Sequence, residues 1–332
     1  MYNYLCENSN QKRCIQMKEE IKQVLERYDK LVGLILDQKI DEFADRMDEK
    51  PPEEDDATYE TYLQHIAMKE TEEQSKIMED EPNDLLGGKS MNEYFASLPF
   101  EELKEIIEYS ALELDRGVPD SVVSAASSAS DRDTVVSYSE SVIRSAAWTD
   151  EELSDEDALF EMEFQKVKAC FRILASMKES GLLSMVIDRF MSYEKVPDFV
   201  ADSVAEYVEA FPSESVPLMI SILEERKETG LEGPCEDLVI MLTNIGKEDH
   251  KDEIYDALRM AFRFMNNKIY AVICLADYGD IKAVPMLKSY INRHQDTISR
   301  DLFYEMMSAI QHLGGDISDI SDPFGDFQKK FK

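Results

Sequence analysis

Apolar residues recur along this chain at three- and four-residue steps, separated by charged ones, and that spacing predicts helices almost throughout. Over residues 12 to 49, Ile15, Leu25, Tyr28, Leu31, Val32, Leu34, Ile35 and Leu36 fall at helical spacing among Lys and Glu. A long helix is expected there, with an apolar side that needs a partner. Pro51-Pro52 ends it. A second helix is expected around Tyr59 to Met78, flanked by acidic joints. From Ser90 the pattern returns in "MNEYFASLPFEELKEIIEYSALEL", where Phe95, Leu98, Phe100, Leu103, Ile106, Ile107 and Leu112 are spaced for one face.

The next stretch, "SVVSAASSASDRDTVVSYSESVIRSAAW", is rich in Ser and Ala and reads as either a closely packed helix pair or a softer loop. Pro119 and Asp120 would start the first helix, and Asp131 to Asp133 would separate the two. Residues 150 to 163 then hold eight acids and no base. Most of them are placed for the first turns of a helix running to Met177, where the helix dipole favours negative charge.

From there the chain repeats. Five apolar helices end at equivalent places, Met177, Phe211, Ile245, Tyr278 and Leu313, at steps of 34, 34, 33 and 35 residues. Each ends in a short polar turn marked by Gly, Pro or Ser, and a second amphipathic helix usually follows. Val216-Pro217-Leu218 and Val284-Pro285-Met286-Leu287 hold the same place in two of those second helices. In a helix's first turn the missing proline N–H would have had no partner anyway. A helix pair this short cannot bury both apolar faces alone, so neighbouring pairs must stack. The expected fold class is therefore all-α, an α-α superhelix of the α-solenoid kind with an N-terminal helical segment. Its divisions would be 1–89 (N-terminal helices with an acidic linker), 90–163 (a helical cap or divergent repeats), 164–316 (the repeats) and 317–332 (a C-terminal tail).

A 34-residue period is the tetratricopeptide length, but the Trp, Leu-Gly and Tyr pattern of that family is absent. Instead "AVICLADYGDIKAVPMLKSYI", Ala271 to Ile291, resembles the short bacterial HEAT repeat, also called the phycobilisome-lyase HEAT-like repeat. Ala276, Gly279, Asp280, Ala283, Val284, Pro285 and Leu287 fit its small residue and Gly, its Gly-Asp turn and its Ala-Val-Pro-x-Leu opening. The match is weaker at Leu313-Gly314-Gly315-Asp316 and at Val216-Pro217. The resemblance covers roughly residues 164 to 316 and implies a right-handed array of helix pairs, with little about activity.

Composition agrees and adds a sign. Only 12 Gly and 11 Pro occur, few for a β-rich chain of 332 residues. Thirty-six basic residues against 70 acidic ones leave a formal net charge of -34, which repels nucleic-acid backbones and favours basic partners. From Asp41 to Asp84 there are 17 acids and 4 bases, a local net of -13. The cysteines, Cys6, Cys14, Cys170, Cys235 and Cys274, lack C-x-x-C spacing, so neither a disulfide framework nor a zinc site is expected. The first residues lack the basic start and apolar run of a signal peptide, and no stretch approaches the ~20 apolar residues of a membrane span. A cytoplasmic location is expected.

Chemistry has one opening. "DLLGGKS", Asp84 to Ser90, ends as a phosphate-cradling P-loop does. Yet Asn83 stands where the loop needs its first Gly, acids precede it, and no strand leads in. Ser90 and Glu93 instead form an S-x-x-E capping box, with Gly87-Gly88 as the turn and a helix from Met91. His65, His250, His294 and His312 are scattered, no G-x-S-x-G occurs, and Glu53 to Asp56 lacks calcium-loop spacing. Met177, Met185, Met219, Met241, Met260 and Met286 fall at core positions. No catalytic, cofactor or metal residue is therefore assigned. The expected function is a non-enzymatic scaffold or adaptor that binds a protein partner with a basic face through an acidic surface. The alternative is an acidic inhibitor or nucleic-acid mimic of a DNA- or RNA-binding enzyme. Neither direct nucleic-acid nor membrane binding is expected.

Overall fold

A computed structural model describes residues 17–44, 56–146, 157–325 and Phe327. The described residues hold fifteen α-helices and two short 3-10 turns, with no strand among them, so the all-α class is the observed one. No described helix is long and apolar enough to cross a membrane.

α1 (Glu19–Ala44) and α2 (Asp56–Asp80) form an antiparallel hairpin. Ile21, Val24, Leu25, Val32 and Phe43 make the buried stripe of α1. Leu31 and Leu34, read from spacing as part of the apolar side, remain 38% and 54% exposed. Partners cover only a stripe of a helix this long, and these two lie off it. Residues 12–16 and 45–49 of the expected helix, and Pro51-Pro52, lie outside the described residues.

The single apolar face expected between Phe95 and Leu112 is two helices, α3 (Met91–Phe95) and α4 (Phe100–Glu113). Pro99 divides them as the extended N-cap of α4 and pushes Leu98 out of helical geometry. Leu112 points outward. The Ser/Ala stretch is the helix pair, α5 (Asp120–Ser127) and α6 (Arg132–Ser145), with Pro119 and Asp131 as N-caps. Small residues let it pack closely: Ser110, Ser121 and Ser139 are buried beside Ala125 and Ala126.

α7 (Asp157–Ser176) joins two cores. Ala169, Ile173 and Met177, four residues apart, face the N-terminal core with Leu103, Ile107 and Val122. Val167, Cys170, Phe171 and Leu174 face the C-terminal core. The acidic run at 150–156 lies outside the described residues.

Eight helices follow: α8 (Leu183–Phe190), α9 (Asp198–Glu209), α10 (Pro212–Arg226), α11 (Pro234–Glu248), α12 (Asp252–Phe264), α13 (Lys268–Tyr278), α14 (Val284–His294) and α15 (Arg300–His312). α7, α9, α11, α13 and α15 pack each on the next, and α8, α10 and α12 form a second row. All five residues that mark the repeat, Met177, Phe211, Ile245, Tyr278 and Leu313, are buried. Polar links cross from unit to unit: Arg172 to Glu206 (3.2 Å), Asn244 to Glu209 (3.0 Å), Lys247 to Asp277 (3.0 Å), and Asn266 to Glu232. Pro285 is the second residue of α14, as its motif implies. Pro217 instead lies inside α10, because that helix already starts at Pro212; the carbonyl it leaves unbonded belongs to the exposed first turn. Beyond α15, Asp322 accepts from the N–H groups of Phe324 (2.8 Å) and Phe327 (2.9 Å), and Phe327 is buried against Phe303, covering the end of the row.

Candidate functional site

The loop that ends like a P-loop turns four of its amides inward. Leu85 N–H donates to Asn83 Oδ1, Leu86 and Gly88 N–H to the Asn83 carbonyl, and Gly87 N–H to that of Asp84, all at 3.0 to 3.1 Å. Gly87 and Gly88 supply the positive φ values, 68° and 83°, that close this turn. Ser90 Oγ accepts from Glu93 N–H (3.2 Å) and Glu93 Oε2 from Ser90 N–H (3.1 Å), so the capping box is formed and α3 begins at Met91.

The other chemistry-bearing residues stay apart. His250 Nε2 lies 2.6 Å from the Tyr278 carbonyl, His294 stacks on Tyr290, and His312 is exposed; the side chain of His65 lies outside the described residues. No group of three His, Cys, Asp or Glu that could hold a metal occurs among the described residues. Cys170, Cys235 and Cys274 are buried thiols. Burial pushes Cys170 up to about 12, far from the thiolate a nucleophile needs. Met177, Met219 and Met241 are buried, and Met185, Met260 and Met286 pack half-buried against the same core.

What the fold does assemble is an acidic ridge on the α9–α11 step. Asp198, Asp202 and Glu206 stand at four-residue intervals on the exposed side of α9, and Glu236 and Asp237 open α11 beside them. Burial, then the charges of Glu236, Asp198 and Asp202, push the Asp237 carboxyl up to about 6. Asp202 is raised by burial and by Asp198, with Lys168 opposing; Glu236 is raised by burial and by Glu232. Among the described residues Asp198, Asp202, Glu236 and Asp237 make no ion pair. Farther along the row, burial and then Asp277 raise Glu305. Sequence reading named the net charge but not this ridge. Asp202 and Asp237 stand 35 positions apart, one repeat, and that spacing is the signal that could have found them.

A polar cleft of about 260 Å³ separates the α1–α2 hairpin from α7. Beside it Glu79, 1% exposed, accepts from Tyr28 Oη (2.6 Å) and from Ser121 N–H (2.6 Å); burial, the largest effect on it, raises its carboxyl. Arg172 is held by Asp120 and Glu206. Glu79 thus ties the hairpin to α5, and Arg172 ties α7 to α5 and α9.

No family model, curated protein or solved structure matches this chain.

Proposed function

We propose that this protein is a non-enzymatic helical-repeat scaffold or adaptor, a HEAT-like α-solenoid that holds a protein partner with a basic face against an acidic surface. One observation carries the reading: Asp237, with Asp198, Asp202 and Glu236 around it, is a concentration of acids on the row of stacked helices that makes no ion pair among the described residues. Mutual repulsion costs the folded chain stability, and a cationic partner would relieve it. Stacked units offer such surfaces without a closed pocket, and each unit contacts only its neighbours.

The test is capture of binding proteins by the wild-type chain and by the triple variant Asp198→Asn, Asp202→Asn, Asp237→Asn, at low and high salt. The expected outcome is a basic protein that the wild type holds at low salt and releases at high salt, and that the variant fails to hold. Equal capture by both chains, or binding indifferent to salt, overturns the reading.

A further inference from the structure

On a chain of formal net charge -34, one cavity is lined by bases and by no carboxylate. It lies where the C-terminal ends of α12 and α14 meet the start of α13 and holds about 360 Å³. Arg263, Lys268, Arg293 and His294 line it, with Phe262, Met286 and Tyr290 as its apolar wall. None of the four bases makes an ion pair among the described residues.

Each base alone has a structural reason. Arg263 occupies the last turn of α12, and Arg293 and His294 that of α14, where positive charge is favoured. That preference does not require the two ends to share a cavity; the stacking brings them together. Donors remain after the internal bonds are counted. Lys268 Nζ donates to the carbonyls of Arg263 (3.0 Å) and Met265 and keeps a third N–H. Arg293 Nε donates to the Ser289 carbonyl (3.0 Å), which leaves its terminal nitrogens. His294 Nδ1 lies 2.8 Å from the Tyr290 carbonyl, so it carries the hydrogen there and leaves Nε2 for a ligand. Burial lowers the Lys268 ammonium, as happens to a cation desolvated without a counter-ion, which is the state a bound anion relieves most. The wall is held as well: Tyr290 stacks on His294 (4.0 Å between centroids) and meets Phe262 edge-on (5.2 Å).

We propose that this cavity binds a small organic anion, a phosphate or carboxylate carried on a flat apolar body. Arg263, Lys268 and Arg293 take the acid group, and Tyr290, Phe262 and Met286 face the flat body. The volume lies at the small end of ligand pockets, which range over roughly 300–1,000 Å³. This site is separate from the acidic ridge, is opposite to it in sign, and does not depend on it.

The test uses the full chain labelled at its methionine methyl groups, with the Met286 signal assigned through Met286→Leu. Adenosine 5′-monophosphate, adenosine, inorganic phosphate and benzoate are titrated separately. The expected outcome is a saturable shift of Met286 with the nucleotide or with benzoate, at least about tenfold tighter than with adenosine or phosphate alone. Whichever of the two binds more tightly names the acid group. The double variant Arg263→Gln, Arg293→Gln, in which both changed side chains are exposed, loses at least about tenfold in affinity with unchanged thermal unfolding. A Met286 signal that neither anion moves, a shift that phosphate alone reproduces, or a double variant that binds like the wild type overturns the proposal.

Discussion

Tyr278 lies so close over Gly246 that a Cβ on the glycine would stand 2.4 Å from ring carbon Cε2 and 3.1 Å from Ile254 Cγ2. The ring cannot easily retreat. Its hydroxyl donates to the Lys251 carbonyl (2.9 Å), and its own carbonyl lies 2.6 Å from His250 Nε2. A tyrosine of one unit thus fastens the turn of the unit before it. Tyr207 does the same, donating to the Glu179 carbonyl at 2.9 Å.

Gly246→Ala is therefore expected to destabilise the chain. Alanine gains about 1 kcal/mol of helix propensity, while overpacking costs about 1–3 kcal/mol. With the ring tethered at both ends the second effect wins, for a net loss of about 1 kcal/mol in chemical denaturation. In a Tyr278→Leu background the same alanine becomes stabilising. A single variant as stable as the wild type would contradict the close contact.

Asp237 ties stability to pH. Its folded pKa is raised from the ordinary 3.8 to about 6, so the folded state binds this proton more tightly than the unfolded chain does. The favourable contribution is complete below the unfolded value and disappears as pH rises from about 4 through about 6. Asp237→Asn removes that dependence. It is expected to raise stability at pH 7 by up to about 1 kcal/mol after solvent screening, with the gain fading as pH falls from about 6 to about 4. Unfolding midpoints of the two chains across this range are the measurement, and parallel profiles would refute the assignment.

The Gly87-Gly88 turn separates capping from phosphate binding. Ser90→Ala removes the Oγ that accepts from Glu93 N–H, while the backbone N–H that Glu93 Oε2 accepts from remains, and is expected to cost about 1 kcal/mol in thermal unfolding. Lys89 is exposed, and Lys89→Ala is expected to stay within about 0.5 kcal/mol of wild type. The reverse order of effects would mean that Lys89, not the cap, organises the turn.

Lys178 is the one described residue other than glycine with a positive φ, 58°. It ends α7 in the conformation that Gly314 (φ 76°) adopts after α15, and the closing bonds match: Glu179 N–H to Leu174 O (2.9 Å) and Gly315 N–H to Ile310 O (2.7 Å). A side chain in this region costs about 1 kcal/mol. Lys178→Gly is expected to raise stability by about 0.5–1 kcal/mol, read from the unfolding midpoint. A loss of stability would show that the lysine side chain does more than tolerate the turn.

Much of the fold was legible before any coordinates. Capping at Ser90 and helix starts at Pro119 and Pro285 follow from which residues satisfy end groups locally. The break at Pro99 is masked in the sequence by an apolar period that runs unbroken across it. The acidic ridge was not legible as a site, since each of its acids looks like any other among 70.

The sequence by itself determined the all-α class, the step of about 34 residues and the excess of negative charge. Helix periodicity and capping act within one or two turns, and charge is a sum, so none of these needs a neighbour's position. Only the tertiary structure decided that Asp202 stands beside Asp237, that Tyr278 covers Gly246, and that Arg263 and Arg293 share a cavity. Those pairings depend on the rotation and offset between packed helices. Side chains of many units set that geometry together, and no single stretch of the chain encodes it.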